Sequence, residues 1–356
     1  MSSPESPRLL SCSRALNEAL AQEMRRDPRV VLWGEDIADP FGGSFAVTKG
    51  LSAEFGSARV RNVPITEAAT AGAAVGAALG GLRPVVELQF AGFALIAGDE
   101  ILHKAAKWRY MHGAAGDMRL PLVLRLPGGG YMRAGPEHSV FPVAMLAHQP
   151  GLVVAVPGGA YDAKGLMIQA IRDDNPVVFL EHVRLYRIKG EVPEEPYTIP
   201  FGVAAVRREG TDCTVVAIGY MVELALQAAD FLAVQGIRVE VIDPRTLRPL
   251  DLETIVASAG RTGRAVIVEE ENPMFGVGAE IAAAIAYSLH GHLQAPVERV
   301  GSLEVPIPFS PPLEEAVLPS VGRIVDAVAR ACDTKVDQGD FGPDTATPPP
   351  LRYAQT

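Results

Sequence analysis

Residues 59–89 read RVRNVPITEAATAGAAVGAALGGLRPVVELQ, and the fold is decided in this stretch. Two short apolar runs, Arg59–Val63 and Val85–Gln89, flank an Ala- and Gly-rich segment, Thr66–Leu82, that is long enough for a helix. Strand, turn, helix, strand is the rhythm of α/β proteins, and it repeats in both directions along the chain. Upstream, Leu16, Ala19, Leu20 and Met24 space a helix over Ser13–Arg25, and Val30–Trp33 is a strand that runs into Gly34-Glu35-Asp36. Downstream come a Leu95–Met111 helix, strands at Leu122–Arg125, Val153–Val156 and Val177–Glu181, and a Tyr161–Arg172 helix. Strands that are near-continuous Val/Leu runs are buried on both faces, as a parallel sheet covered by helices requires.

A polar, Pro-rich stretch, KGEVPEEPYTIP at 189–200, interrupts the pattern. The rhythm then restarts with strands at Cys213–Gly219, Arg238–Ile242, Ala265–Glu269 and Val297–Val300, and helices at Val222–Gln235, Asp251–Ala259 and Gly278–His290. The expected fold class is α/β in two domains, residues 1–190 and 204–333, with a linker at 191–203 and a flexible tail at 334–356. A chain of 356 residues fits that division at roughly 100–200 residues per domain. Lys and Arg number 32 against 42 Asp and Glu, a net charge of −10. Such a surface repels phosphate, so no nucleic acid and no anionic membrane is expected as partner. Cys12, Cys213 and Cys332 lie far apart and form no CxxC pair, which excludes a disulfide framework and a zinc ribbon and points to a reducing cytoplasm. The first residues lack a basic segment followed by an apolar one, so no signal peptide is expected. Glycines and Arg83-Pro84 break the Ala68–Leu82 apolar run, which is no membrane span.

Three motifs carry chemistry. Glu67 opens the predicted Thr66–Leu82 helix, where it is either a first-turn acid behind a Thr66 N-cap or a polar group at the strand ends that hold ligands in open α/β sheets. Gly128-Gly129-Gly130 and the following loop to Ser139 lack GK[ST] and GxGxxG, so their phosphate signal is weak, but they place His138 in a loop rather than on an apolar helix face. Arg172-Asp173-Asp174-Asn175-Pro176 is a helix-ending turn that could also offer oxygens to a hard cation. Gly276-Val277-Gly278 has Ile281 at the third glycine position of a dinucleotide fingerprint, which leaves close helix packing as its use.

Taken together, GED (34–36), FGGSFAVTKGL (41–51), PITEA (64–68), GLRPVVELQFAGF (81–93), LPGGG (126–130), GPEHS (135–139), YDAKGL (161–166), AIRDDNPVVFLEH (170–182), DPRTLRPLD (243–251), GVGAEI (276–281) and PIPFSPPLE (306–314) resemble one family. It is the beta subunit of the thiamine-diphosphate-dependent 2-oxo acid dehydrogenases, with a pyrimidine-binding, transketolase-like domain and a transketolase C-terminal-like domain. The resemblance implies that Glu67 hydrogen-bonds N1′ of the cofactor's aminopyrimidine, that Phe93 packs against that ring, that Gln89 lines the substrate end, and that His138 guides acyl transfer to a lipoyl group. It implies a structural potassium site from Leu122, Ala170, Ile171, Asp173 and Asn175. Two positions depart from the family: Ala91-Gly92-Phe93 replaces Ala-Asp-Phe/Tyr, and His138-Ser139-Val140 replaces His-Ser-Gln.

The family's diphosphate and Mg²⁺ site, a GDG segment with an Asn pair beyond it, is missing. Gly-Asp occurs only at 98–99, 116–117 and 339–340, never before Gly, and Asn17, Asn62, Asn175 and Asn272 are never adjacent. The resemblance therefore implies an alpha subunit that holds Mg²⁺ and completes the site in an α2β2 tetramer, with a lipoyl acyltransferase core as further partner and pyruvate or a branched-chain 2-oxo acid as substrate. Two other functions stay open: half of a two-component transketolase or acyloin-forming enzyme, and a non-catalytic docking subunit.

Overall fold

A computed structural model describes residues 7–113 and 118–336. They form two compact units. The first holds the chain up to Met132, Glu137–Val203 and Arg245–Leu250, and the second holds Arg133–Pro136, Ala204–Pro244 and the chain from Asp251 on. From residue 337 on, the tail expected at 334–356 lies outside the described residues.

The first unit is built on a seven-stranded sheet in the order Thr246–Arg248, Val153–Ala155, Pro176–His182, Leu122–Gly128, Arg83–Glu87, Val30–Gly34, Val60–Asn62. Six of these strands are parallel, and Thr246–Arg248 pairs antiparallel with Val153–Ala155 at one edge. Val85, Val86, Val123, Leu124, Val177 and Val178 are all buried, so the Val/Leu runs do lie between covering layers. Each carries a β-branched or γ-branched side chain that packs well on a pleated surface.

The helix opened by the decisive stretch runs Glu67–Leu79. Its small residues let a neighbour come close: a Cβ on Gly72 would stand 3.0 Å from Cδ of Glu100. Thr66 occupies the N-cap position, yet its hydroxyl donates to the Pro64 carbonyl (3.1 Å) and makes no cap bond. The expected continuous helix over Leu95–Met111 is instead a 3₁₀ turn at Ala91–Leu95, a wide π-type turn at Asp99–Ala105 and an α-helix at Ala106–His112.

The Ala160–Arg172 helix packs against Cys12–Arg26. Its Lys164 is fully buried, and Nζ donates to Glu18 Oε1 (2.6 Å) and to the carbonyls of Pro193 (2.6 Å) and Glu194 (2.8 Å). A Cβ on Gly165 would stand 2.7 Å from Ile199 and Tyr197, so this glycine admits the same segment. The Pro-rich stretch after Lys189 is thus held on the first unit by Lys164, with Val192 and Ile199 buried. The second unit carries a five-stranded sheet in the order Glu298–Val300, Ala265–Val268, Cys213–Ala217, Val239–Asp243, Ala205–Arg208, antiparallel only at the last pair.

Candidate active site

The carboxyl ends of the parallel strands in the first unit deliver the polar groups. Val30–Gly34 leads into Glu35, Val60–Asn62 into Glu67, Arg83–Glu87 into Gln89 and Phe90, and Leu122–Gly128 into a loop and then a one-turn helix, Gly135–His138, so that His138 ends a short helix and not the expected loop. Glu67 is 5% exposed and receives no hydrogen bond or ion pair from the described residues. Glu35 is also buried, and its carboxyl is held above the usual carboxylate range, first by burial and then by the negative charges of Glu67, Asp36 and Glu87.

Behind these acids sits a buried ion network. Arg125 directly faces Glu87 across the strand pair, and its Nη1 bonds Glu87. Its Nε and Nη2 form a bidentate fork with Glu181 at 2.7 Å each, and the Tyr186 hydroxyl donates to the same carboxylate at 2.6 Å. Burial pushes Glu87 upward, Arg125 opposes that shift, and Glu181 adds to it. The guanidinium is thus committed to two carboxylates, and Glu35 and Glu67 share no cation of their own among the described residues. The FGGSF loop closes over this network: a Cβ on Gly43, where φ is +80°, would lie 2.7 Å from Glu87 Oε1.

An aromatic cluster adjoins the acids. Phe90 meets Phe45 (6.0 Å between centroids), Phe93 (5.9 Å) and His138 (4.8 Å) edge to face, and Phe93 meets His138 at 5.6 Å. Gln89 donates through Nε2 to Ser44 Oγ (2.9 Å). The two departures from the family pattern face each other here: a Cβ on Gly92 would stand 3.0 Å from the Val140 Cβ. Val140 fills the room that a larger residue 92 would need. Ser139 Oγ, next to His138, is buried with no hydrogen-bond partner among the described residues.

The proposed cation ligands gather at the opposite, amino ends of the strands. Leu122 starts its strand, Ala170 and Ile171 lie in the last turn of Ala160–Arg172, and Asp173 caps that helix. Arg83 Nε donates to the Ile171 carbonyl (2.7 Å), and Arg83 also bonds the Asp173 carbonyl and Asp174. Asp173 Oδ1 accepts from the backbone N–H (2.8 Å) and the side-chain amide (2.7 Å) of Asn175. No group of three His, Cys, Asp or Glu side chains could hold a metal among the described residues. In the second unit, Gly276 and Gly278 leave room for Glu269, which accepts from the Gly278 N–H (2.9 Å) and would lie within 2.5 Å of a Cβ at either glycine. Close packing is therefore their use.

Sequence reasoning had singled out Glu67, Gln89, Phe93 and His138 but not Glu35, Glu87, Arg125, Glu181 or Tyr186. The signal for three of these is a charge inside a buried Val/Leu strand, as in LVLRLP, where a lone arginine requires carboxylates on neighbouring strands.

Residues 9–189 match the family described as "Transketolase, pyrimidine binding domain", and residues 202–324 match "Transketolase, C-terminal domain". The chain belongs to the transketolase family. It is 45% identical over 332 residues to the acetoin:2,6-dichlorophenolindophenol oxidoreductase subunit beta of Cupriavidus necator, covering 91% of this chain and 97% of that one. It is also 45% identical over 323 residues to the pyruvate dehydrogenase E1 component subunit beta of Rickettsia felis, covering 91% and 98%. A solved structure titled "Split gene transketolase, inactive beta4 tetramer" aligns with a TM-score of 0.74 at 27% identity, over 92% of this chain and all of that one. The two-domain transketolase-like fold and the resemblance to dehydrogenase beta subunits are borne out. No helix among the described residues is long and apolar enough to cross a membrane.

Proposed function

We propose that the chain is the beta subunit of a thiamine-diphosphate-dependent 2-oxo acid dehydrogenase, acting with an alpha subunit in an α2β2 tetramer on pyruvate or a branched-chain 2-oxo acid and passing the acyl group to a lipoyl domain. The observation that carries this reading is Glu67, a buried carboxylate beyond a strand's carboxyl end with no hydrogen-bond or ion-pair partner among the described residues. An acceptor in that state fits the N–H of a heteroaromatic ring, and the edge-to-face cluster of Phe90, Phe93 and His138 offers apolar walls for such a ring. Thiamine diphosphate, when bound, supplies the electron sink for decarboxylation. Glu67 would accept the hydrogen bond of ring N1′ and fix which ring nitrogen carries the proton. Phe93 would pack on the ring, Gln89 would line the substrate end, and His138 would orient the acceptor.

Mg²⁺ belongs to the alpha subunit in this reading, since this sequence lacks GDG. A potassium ion would be held by the carbonyls of Leu122, Ala170 and Ile171 with Asp173 and Asn175. Those oxygens fit, because an acceptor oxygen already serving Arg83 or Asn175 keeps a second lone pair. The chain would work in the cytoplasm, on a lipoyl acyltransferase core.

A structural relative from a split transketolase favours a second reading, half of a two-component transketolase or acyloin-forming enzyme, in which an aldehyde replaces the lipoyl domain as acceptor. The test is reconstitution with the alpha subunit, a 2-oxo acid, and either a lipoyl domain or an aldehyde. Glu67→Gln should lower turnover about 10²–10⁴-fold, the range of a lost proton-managing group, while the assembly keeps its mass in solution. Turnover unchanged in Glu67→Gln would leave only the docking-subunit reading, and product with the aldehyde alone would select the second.

A further inference from the structure

The second unit holds two of the three cysteines, and they lie close together although 119 positions separate them in sequence. Cys213 begins the central strand of the five-stranded sheet and is fully buried. Cys332 follows the Val321–Ala331 helix, which packs on the Met221–Val234 helix and on the Ala265–Val268 and Glu298–Val300 strands. Its Sγ lies 3.9 Å from the carbonyl oxygen of Asp212, the peptide group that leads into Cys213. The same oxygen accepts from Arg264 Nη1 at 3.5 Å, so a guanidinium stands beside the Cys332 sulfur.

We propose that Cys213 and Cys332 are an oxidation site: hydrogen peroxide joins them in an intramolecular disulfide that ties the end of the C-terminal helix to the first residue of the central strand. Three features divide the roles. Cys332 is partly exposed and Cys213 is not, so peroxide meets Cys332 first. The Cys213 thiol, then Arg264, hold the Cys332 thiol below its ordinary value, against burial and the Asp212 carboxylate; its hydrogen bond to Cys332 and its burial push the Cys213 thiol up. The Cys332 thiolate attacks one peroxide oxygen, the O–O bond breaks, and the other oxygen leaves as water after taking a proton. The sulfur of the resulting sulfenic acid is then attacked by Cys213 sulfur, which loses its proton; an S–S bond forms, and the hydroxyl leaves as a second water. Two thiols and one peroxide give one disulfide and two waters, and the two electrons lost by the sulfurs reduce the O–O bond.

The geometry needed is within reach because Cys332 sits in a turn, with Asp333 at φ +49° and the Thr334 N–H bonded to the Ala329 carbonyl, rather than inside the helix. Cys12 provides an internal control: it is buried in the first unit, and burial pushes its thiol up.

The full chain, treated with one equivalent of hydrogen peroxide and then alkylated and digested without reductant, should yield a peptide pair linking 213 and 332 that dithiothreitol separates. Titratable thiols under denaturing conditions should fall from three to one, and amide exchange across Val321–Ala331 should slow several-fold. Cys213→Ser should leave a dimedone-reactive sulfenic acid on Cys332, and Cys332→Ser should leave Cys213 reduced. The proposal is overturned by sulfinic acid on Cys332 without the linked pair, by a link between two chains, or by three thiols that survive peroxide.

Discussion

Replacing Arg125 by Met should be the costliest conservative-volume change in the first unit. Arg125 is 1% exposed, and its side-chain bonds among the described residues go to Glu87 and Glu181, themselves 5% and 2% exposed. Removing one partner from a buried ion pair costs about 3–5 kcal/mol, because the other charge stays buried without compensation. Here two carboxylates are left, so the upper part of that range applies at neutral pH. For a unit of this size each kcal/mol moves the midpoint by about 2–4 °C, so a cost of about 4–5 kcal/mol should lower the transition by about 8–20 °C. Both tryptophans, Trp33 and Trp108, belong to the first unit, so intrinsic fluorescence follows that unit alone. Thermal melts of wild type and Arg125→Met at one chain concentration give the shift directly. The loss should be largely restored by adding Glu181→Gln and Glu87→Gln, which remove the two stranded charges. A fall under about 3 °C at pH 8, or no recovery in the triple variant, would show that the network is solvated and that this account of the core is wrong.

Glu35→Gln should change the pH dependence of stability. The carboxyl is raised above its ordinary 4.5, so between that value and the folded one the native state holds the extra proton, and wild-type stability falls as pH rises through the window. Melts should coincide below that window, and the advantage of Glu35→Gln should grow through it and level off above it; a parallel offset at every pH would refute the assignment. Gly92→Ala should cost about 1 kcal/mol by pressing on Val140, and Val140→Ala in the same chain should recover part of it, read from a double-mutant cycle. Lys164→Met should free the Pro193–Glu194 backbone, seen as proteolysis near 193 at least several-fold faster than in wild type; equal rates would mean that Lys164 does not fasten this segment.

Much of the first unit was legible because its strands are continuous Val/Leu runs and its crossover helix is Ala- and Gly-rich. Thr246–Arg248 was not, since three residues pairing with a distant edge leave no periodicity. The Val321–Ala331 helix, with Ile324, Val325 and Val328 buried, is short and follows the Pro-rich 306–312 stretch, which interrupts the α/β rhythm before it. The Leu95–Met111 run misled for a different reason: apolar spacing specifies which side is buried, not whether the backbone bonds close at three, four or five residues. At the site, the sequence pointed to Glu67 and His138 through loop position and likeness. The buried ion network behind Glu35 was hidden inside strands, where only the pairing of three strands brings Glu87, Arg125 and Glu181 together.

The return of Thr246–Arg248 to the first sheet sets an order on synthesis. When a ribosome has released residue 203, the Val153–Ala155 edge is still bare, and its unpaired N–H and C=O groups can template association with another chain. The edge is covered only after some forty further residues have emerged, including the Cys213–Ala217 and Val239–Asp243 strands of the second unit. A fragment cut at the Pro-rich stretch would therefore lack its own edge cover, and a gene divided at that point would yield a first half prone to aggregate. The two units are distinct as folded bodies but interleaved as products of translation.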